Sequence, residues 1–199
     1  MNIVIVYNHP YKGSFCHALL ESTIKGAKLA GHTVDIIDLD SDKFNPVMSG
    51  QDLLAFRNHE ASDPQAIDYI NRIKKADHLV LIFPIWWELM PAMMKGFIDK
   101  VIFPGSTYNN TKSGYGMIST LTKLKSTTII TTMNTPKIIY RFIFGNALQK
   151  ALIKGTLKKS GLKNVKWHSF NMVKASSDTT RKNGLNLLRK NFLINKIHR

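Results

Sequence analysis

Cysteine is nearly absent from this sequence: 199 residues contain one, Cys16. A single cysteine excludes an internal disulfide and favours a reducing compartment. No apolar run approaches the roughly 20 residues of a membrane-spanning helix. The first residues, 1–7, lack the basic region and cleavage site of a signal peptide and are typical of a strand. We therefore expect a cytoplasmic protein without a membrane span.

Acidic residues are scarce in the last third of the chain. Residues 137–199 carry 15 Lys and Arg against one acid, Asp178, which leaves +14 of the net +15 in this part. Such a charge suits a nucleic-acid or membrane surface, a solvated basic face, or a field that attracts a phosphorylated nucleotide. The cations stand singly or in pairs among apolar residues, as in helices with one buried face, so nucleic-acid binding is not the expected function.

Sequence signals for metal and nucleotide sites are also missing. The seven histidines are scattered without metal-ligand spacing, and we expect no metal. Neither the glycine fingerprint of dinucleotide-binding folds nor a P-loop occurs. Four aspartates between Asp35 and Asp42 favour a solvated turn over a ribose contact.

Strand and helix patterns alternate along the chain. Five strands separated by helices predict a single α/β domain, 1–199, with a parallel sheet covered by helices on both faces. Polar residues predict a surface loop over 103–122. Strands are predicted over 2–7, 33–39, 78–83, 126–132 and 165–170, and helices over 14–30, 50–58, 65–76, 91–100, 137–160 and 178–195.

Ligands of parallel sheets bind beyond the carboxyl ends of the strands, which directs attention to three loops, 8–16, 84–91 and 133–140. The first joins a strand to a helix that Ser14 begins. Free amides and the helix dipole make it a candidate phosphate site, although a capped turn without a ligand explains the same residues. In the second loop, Trp86 and Trp87 leave the sheet together, which suits a flat aromatic ligand, a roof over the sheet or a subunit interface.

The stretch FPIWWELMPAMMKGFIDKV, residues 83–101, resembles the signature of the NAD(P)H:quinone oxidoreductase family of flavodoxin-like flavoproteins. His9, the pair Ser14-Phe15 and the pair Asn45-Pro46 extend the resemblance in order over roughly 1–135. It implies a flavodoxin-like fold with three layers, a five-stranded parallel sheet between two layers of helices. It also implies a compact bacterial-type member.

The resemblance implies an FAD site, with FMN as the alternative. Residues of the first loop would hold the pyrophosphate side, residues 85–88 would line the isoalloxazine ring, and the Thr131-Thr132 pair would bound it on the far side. Cys16 would offer its backbone amide and not act as a nucleophile. The candidate cofactor-binding residues are His9, Ser14, Phe15, Cys16, Pro84, Ile85, Trp86, Trp87, Glu88, Thr131, Thr132, Met133 and Asn134.

The implied activity is transfer of two electrons from NAD(P)H, through the flavin, to a quinone or a similar electron-poor aromatic. Alternatives are a nitro or azo acceptor, or a non-catalytic flavin-binding subunit. The chain departs from the family after Thr132, where Met133-Asn134 replaces Gly-Gly, and no histidine lies between His78 and His168. Tyr140 is the one candidate for a catalytic side chain.

The family resemblance also implies a homodimer. The apolar run 138–144 suits either the interface between subunits or the core. The choice between NADH and NADPH stays open.

Overall fold

The computed structural model describes residues 1–114 and 116–193, which form a five-stranded parallel sheet and a small two-stranded antiparallel sheet. The sheet has the order β2-β1-β3-β6-β7 with all neighbours parallel. This is the flavodoxin-like order, so the expected fold is confirmed. The strands are β1 Asn2–Tyr7, β2 Thr33–Asp38, β3 His78–Pro84, β4 Tyr108–Asn110, β5 Met117–Ser119, β6 Ser126–Thr132 and β7 Val165–Phe170.

Helices cover both faces of the sheet. Alternate residues of β1 point to opposite faces, so that Ile3 and Ile5 pack under one helical layer and Val4 and Val6 under the other. Every residue of β3 and β6 is buried, and their sequences therefore lack the alternation of polar and apolar residues that a half-exposed strand shows. The helices are α1 Phe15–Leu29, α2 Gly50–Asn58, α3 Pro64–Lys74, α4 Ala92–Val101, α5 Lys137–Phe142, a π-helix Gln149–Lys158 and α6 Asp178–Leu193.

The predicted starts of the early helices are confirmed because their caps are local features. Ser14 Oγ accepts from the His17 amide at the start of α1. Ser49 and Asp52 form a reciprocal capping box on α2. Asp63 caps α3, whose first residue is proline. Within the described residues, no helix is long and apolar enough to cross a membrane.

The predicted surface loop over 103–122 is wrong in part. It contains the antiparallel hairpin of β4 and β5, and Phe103, Tyr108 and Leu121 are buried in the main core. Thr107, also buried, ties this segment together by accepting from the Phe103 amide through Oγ1. Its strands are only three residues long, so turn-forming neighbours hide them in the sequence.

The helical region predicted over 137–160 consists of two separate helices. α5 ends at Phe142, and Gly145 and Asn146 then adopt left-handed backbone angles, with φ of 66° and 54°. The chain resumes as a π-helix at Gln149. The predicted last helix runs to Leu193 in the described residues, and its predicted residues 194–195 lie outside them.

The Gly96→Ala variant is expected to lose stability because α4 touches the backbone of the 45–46 turn. An added Cβ at Gly96 would lie 2.2 Å from the Pro46 carbonyl oxygen, a clash that backbone must move to relieve. We expect the free energy of unfolding to fall by about 2 kcal/mol, measured by urea denaturation. The matched control is Gly50→Ala at the start of α2, where a Cβ meets nothing within 4 Å. Equal midpoints for the two variants would contradict the expectation.

Candidate functional site

A pocket of about 360 Å³ opens at the carboxyl ends of β1, β3 and β6. From β1 the chain passes to β2, toward one edge of the sheet, and from β3 it passes to β6, toward the opposite edge. The pocket therefore lies at the point where the strand order reverses. The volume lies within the range of roughly 300–1,000 Å³ typical of small-molecule sites. The pocket is lined by His9, Ser14, Phe15, Cys16, Pro84, Ile85, Trp86, Thr132, Met133, Asn134, Val173 and Lys174.

The structure brings ten of the thirteen candidate cofactor-binding residues into this lining. These come from all three loops that the sequence singled out, and they are His9, Ser14, Phe15, Cys16, Pro84, Ile85, Trp86, Thr132, Met133 and Asn134. It does not bring Trp87, Glu88 and Thr131 into the lining. Val173 and Lys174 line the pocket although the sequence did not suggest them.

The first wall is the β1–α1 loop. Asn8, at its start, is buried and fastened by its side-chain amide to Asp40, 2.7 Å away. His9 Nδ1 accepts from the Tyr11 amide at 3.1 Å, which leaves the proton of a neutral ring on Nε2. Burial lowers the pKa of His9, so the neutral ring is favoured. This wall therefore offers a histidine donor beside the amino end of α1, where free amides favour an anion.

Cys16 is buried in the same wall. Burial raises the pKa of the Cys16 thiol to about 12, against a weaker opposing hydrogen bond with Thr132. At neutral pH the group is therefore a thiol and not a nucleophilic thiolate. The expectation that Cys16 does not act as a nucleophile agrees with this environment.

The second wall is a tight hairpin formed by residues 86–89. Trp86 and Leu89 exchange both backbone hydrogen bonds, at 2.9 and 3.1 Å. Trp87 and Glu88 at its tip have φ of 48° and 65°, left-handed values that Asn-Gly pairs normally supply in such turns. Strained backbone of this kind, next to a pocket, is typical of functional sites.

The hairpin separates the two tryptophans. Trp86 is 48% exposed, lines the pocket and meets the His9 ring edge-on at 6.1 Å. Trp87 is 98% exposed at the tip. Glu88 instead fixes the hairpin to the loop after β6: its Oε1 accepts from Thr135 Oγ1 at 3.0 Å, and its carbonyl accepts from the Tyr140 hydroxyl at 2.9 Å.

The third wall follows β6. Thr132 and Met133 line the pocket, whereas Thr131 faces the other side of the sheet and accepts from Trp167 Nε1 at 2.9 Å. The period of two in a strand already places the side chains of neighbouring residues on opposite faces. Tyr140 does not line this pocket, and its hydroxyl is engaged on both sides, by the Glu88 carbonyl and by the Leu148 amide. The structure therefore gives Tyr140 a positioning contact with the hairpin.

The turn after β7 closes the pocket. Met172 adopts a left-handed conformation, and a short 3₁₀ turn, Val173–Ala175, follows. The Lys174 amide donates to Asn134 Oδ1 at 3.0 Å. The rule on strand ends, applied to β7 as well, would have pointed to these residues.

The electrostatics of the pocket favour an anionic ligand. Its lining includes Lys174 and the amino end of α1 but no acidic residue. In the described part of the chain, no group of three His, Cys, Asp or Glu residues could hold a metal ion. The arrangement is an open, partly aromatic cleft with donors at one end.

A protein-family model described as a flavodoxin-like fold matches residues 1–190. An uncharacterized NAD(P)H oxidoreductase of Haemophilus influenzae is 29% identical over 92% of this chain and 89% of its own length. Another, YcaK of Escherichia coli, is 31% identical over 54% of this chain and 56% of its length. The guinea pig (Cavia porcellus) NAD(P)H dehydrogenase [quinone] 1 is 27% identical over 53% of this chain. The match spans 44% of that enzyme.

Solved structures resemble the chain over nearly its whole length. Smu.1420 of Streptococcus mutans is 33% identical, with a TM-score of 0.84 over 97% of this chain and 99% of that one. An NAD(P)H:quinone oxidoreductase of Methanothermobacter marburgensis, 24% identical, has a TM-score of 0.85 over 98% of both chains. An FMN-dependent NADH-azoreductase of Bacillus anthracis, 14% identical, has a TM-score of 0.78 over 100% of both. The last two structures show a similarity of fold alone.

Proposed function

The chain belongs to the flavodoxin-like fold family and is an oxidoreductase, and on that premise we propose that it is a flavin-dependent NAD(P)H:quinone oxidoreductase. The observation that carries the proposal is the pocket at the reversal of strand order, where ten of the candidate residues meet. Relatives named as NAD(P)H oxidoreductases and quinone dehydrogenases support the choice of substrates.

The residues of the pocket fit a flavin. The amides at the start of α1, Ser14 and His9 Nε2 form the end that suits phosphate. The opposite end of the pocket suits a flat ring system. It is formed by Ile85 and Trp86, where the chain leaves β3, and by Thr132 and Met133 across from them. We propose FAD from the sequence signature, and FMN is the alternative that the azoreductase neighbour supports.

When bound, a flavin would supply the redox chemistry, a two-electron transfer from NAD(P)H to the second substrate. The protein contributes binding and orientation. The hairpin of residues 86–89 holds Trp86 beside the ring site, and Glu88 and Tyr140 hold the hairpin in place. No protein side chain is assigned a proton transfer. The acceptor we propose is a quinone, with an azo compound as the alternative that the same neighbour suggests.

We further propose a cytoplasmic homodimer. The apolar run that the sequence left open between core and interface is mostly exposed: Ile138, Phe142, Ile143 and Phe144 face outward. A contiguous exposed apolar surface is typical of an association site, whereas single exposed apolar residues are common on any protein surface. A second copy of the chain is the expected cover.

The test is anaerobic mixing of the flavin-loaded protein with NADPH, followed by steady-state turnover with menadione. We expect bleaching of the flavin absorbance and sustained NADPH oxidation, and the mass of the released flavin identifies FAD or FMN. Protein stripped of flavin is the control and should be inactive. A flavin that stays oxidised would refute the proposed reaction, and bleaching without turnover would refute the quinone as acceptor.

A further inference from the structure

A second cavity, of about 190 Å³, lies beside the site pocket between α5, the start of the π-helix and β7. We call it the side cleft. None of its lining residues lines the site pocket. They are Lys137, Tyr140, Arg141, Asn146, Gln149, Trp167, Ser169 and Asn171.

The side cleft carries positive charge without compensation. Lys137 and Arg141 are its two charged residues, and no acid lines it. Neither forms an ion pair with any residue that the structure describes. They stand four residues apart on α5, a spacing at which like charges repel by roughly 0.2–0.5 kcal/mol. A bound anion would attract both cations and so offset their mutual repulsion.

The remaining donors of the cleft also suit an anion. The Arg141 guanidinium lies over the Phe142 ring, 5.4 Å from its centroid, which limits its freedom. The hydroxyl of Tyr140 and the indole N–H of Trp167, at the floor, already have partners. The side-chain amides of Asn146 and Gln149 make no hydrogen bond within the described residues. Two cations and two amides therefore converge with unused donors, which is the donor set of a phosphate site.

The side cleft and the site pocket share a wall. Asn134 lines the site pocket and Lys137 the side cleft, so only two residues lie between them, and their Cα atoms are at most about 11 Å apart. In the turn after β7, Asn171 lines the cleft and Val173 the pocket, and the Asn171 side chain donates to the Thr135 carbonyl at 3.0 Å. A nicotinamide nucleotide that stacks on a flavin in the site pocket would therefore have a basic cleft within reach of its outer end.

We propose that the side cleft is a phosphomonoester site that receives the 2′-phosphate of NADPH and so favours NADPH over NADH. This inference rests on the proposed function for the source of the phosphate. The volume of the cleft holds a phosphate group with part of a sugar but not a whole nucleotide. Free inorganic phosphate has the same chemistry and is the competing source.

The kinetic test compares Lys137→Gln and Arg141→Gln with wild type in flavin-loaded protein. We expect the KM for NADPH to rise about tenfold in each variant, equivalent to roughly 1.4 kcal/mol, while the KM for NADH stays within twofold. The control is Lys154→Gln, which removes one exposed cation of the π-helix that does not line the cleft. Equal changes for both nucleotides, or an equal effect of the control, would overturn the inference.

A calorimetric titration separates this inference from the proposed function. Adenosine 2′-monophosphate, adenosine and inorganic phosphate are titrated into the same four proteins. We expect the 2′-monophosphate to bind more tightly than the other two, with about tenfold weaker binding in the two cleft variants only. A protein that oxidises neither nucleotide but gives this pattern refutes the proposed reaction and supports the cleft. Inorganic phosphate binding as tightly as the 2′-monophosphate would overturn NADPH as the source.

Discussion

The Ser14→Asp variant is expected to bind flavin at least about 100-fold more weakly than wild type. Aspartate caps a helix as well as serine does, so the hydrogen bond from the His17 amide is retained and α1 keeps its start. The substitution adds a negative charge to the lining of the site pocket, at the end assigned to phosphate. Two like charges at contact distance in a partly buried site repel by several kcal/mol, which sets the expected size.

The control for this substitution is Ser14→Asn, which has the shape of the aspartate, caps equally well and is neutral. Flavin affinity is measured by the quenching of flavin fluorescence on addition of stripped protein. Thermal melts of the two variants, taken without flavin, should agree. Similar affinities for the two variants would place the phosphate elsewhere.

The Lys100→Met variant is expected to lose about 3 kcal/mol of stability at pH 7. Lys100 is only 4% exposed, and its ammonium lies 2.8 Å from an Asp63 carboxylate oxygen and 3.4 Å from one of Asp52. Removing the cation leaves two partly buried carboxylates without their shared partner, and breaking a buried pair in this way is strongly destabilising. Both carboxylates keep the hydrogen bonds that they accept at the helix starts, Asp52 from Ser49 and Asp63 from the Gln65 amide, so we expect a loss at the lower end of the usual range.

The pH dependence of that loss follows from the two aspartates. Burial would raise the pKa of Asp52 and of Asp63, but hydrogen bonds outweigh it, from Ser49 to Asp52 and from Lys100 to Asp63, and both pKa values lie below normal. Their contribution to stability is therefore complete above the ordinary aspartate pKa near 4 and is lost as the pH falls through the lowered values. The difference between wild type and variant should shrink below about pH 4.

Urea denaturation at pH 7 and at pH 3.5 measures this effect. The control is Lys95→Met on the same helix, whose lysine pairs with Asp99 at the surface and should contribute no more than about 0.5 kcal/mol. A loss of the same size in the control variant would contradict a special role for the buried lysine. A constant difference at the two pH values would contradict the assigned electrostatics.

The three loops of the candidate site could be predicted because their elements are local in sequence, and the individual residues followed from the family resemblance. β1 and β3 are apolar runs long enough to identify, and β6 is a run of β-branched residues. Ser14 caps the helix after β1, and the ends of parallel strands converge. The alternation of side chains along β6 also predicts that Thr131 faces away from the pocket if Thr132 faces it. The turn after β7, with Lys174, could have been included by the same rule about strand ends.

The rest depended on contacts between distant residues. The identities of Trp87 and Glu88 do not predict a left-handed turn, because residues with large side chains rarely adopt positive φ. In the structure, Glu88 in this turn contacts the distant residues Thr135 and Tyr140. The break after Phe142 and the short strands β4 and β5 also carry weak local signals, since their anchors are buried against residues far away in sequence.

The sequence by itself determined the five strands of the parallel sheet, the capped start of α1 and the three loops that meet at the site, since periodicity and caps act over a few residues. The tertiary structure alone decided which tryptophan lines the pocket, that Tyr140 braces the hairpin, and that Lys137 and Arg141 border a second cleft. These outcomes depend on which surfaces pack together, and packing joins residues that local preferences treat as independent.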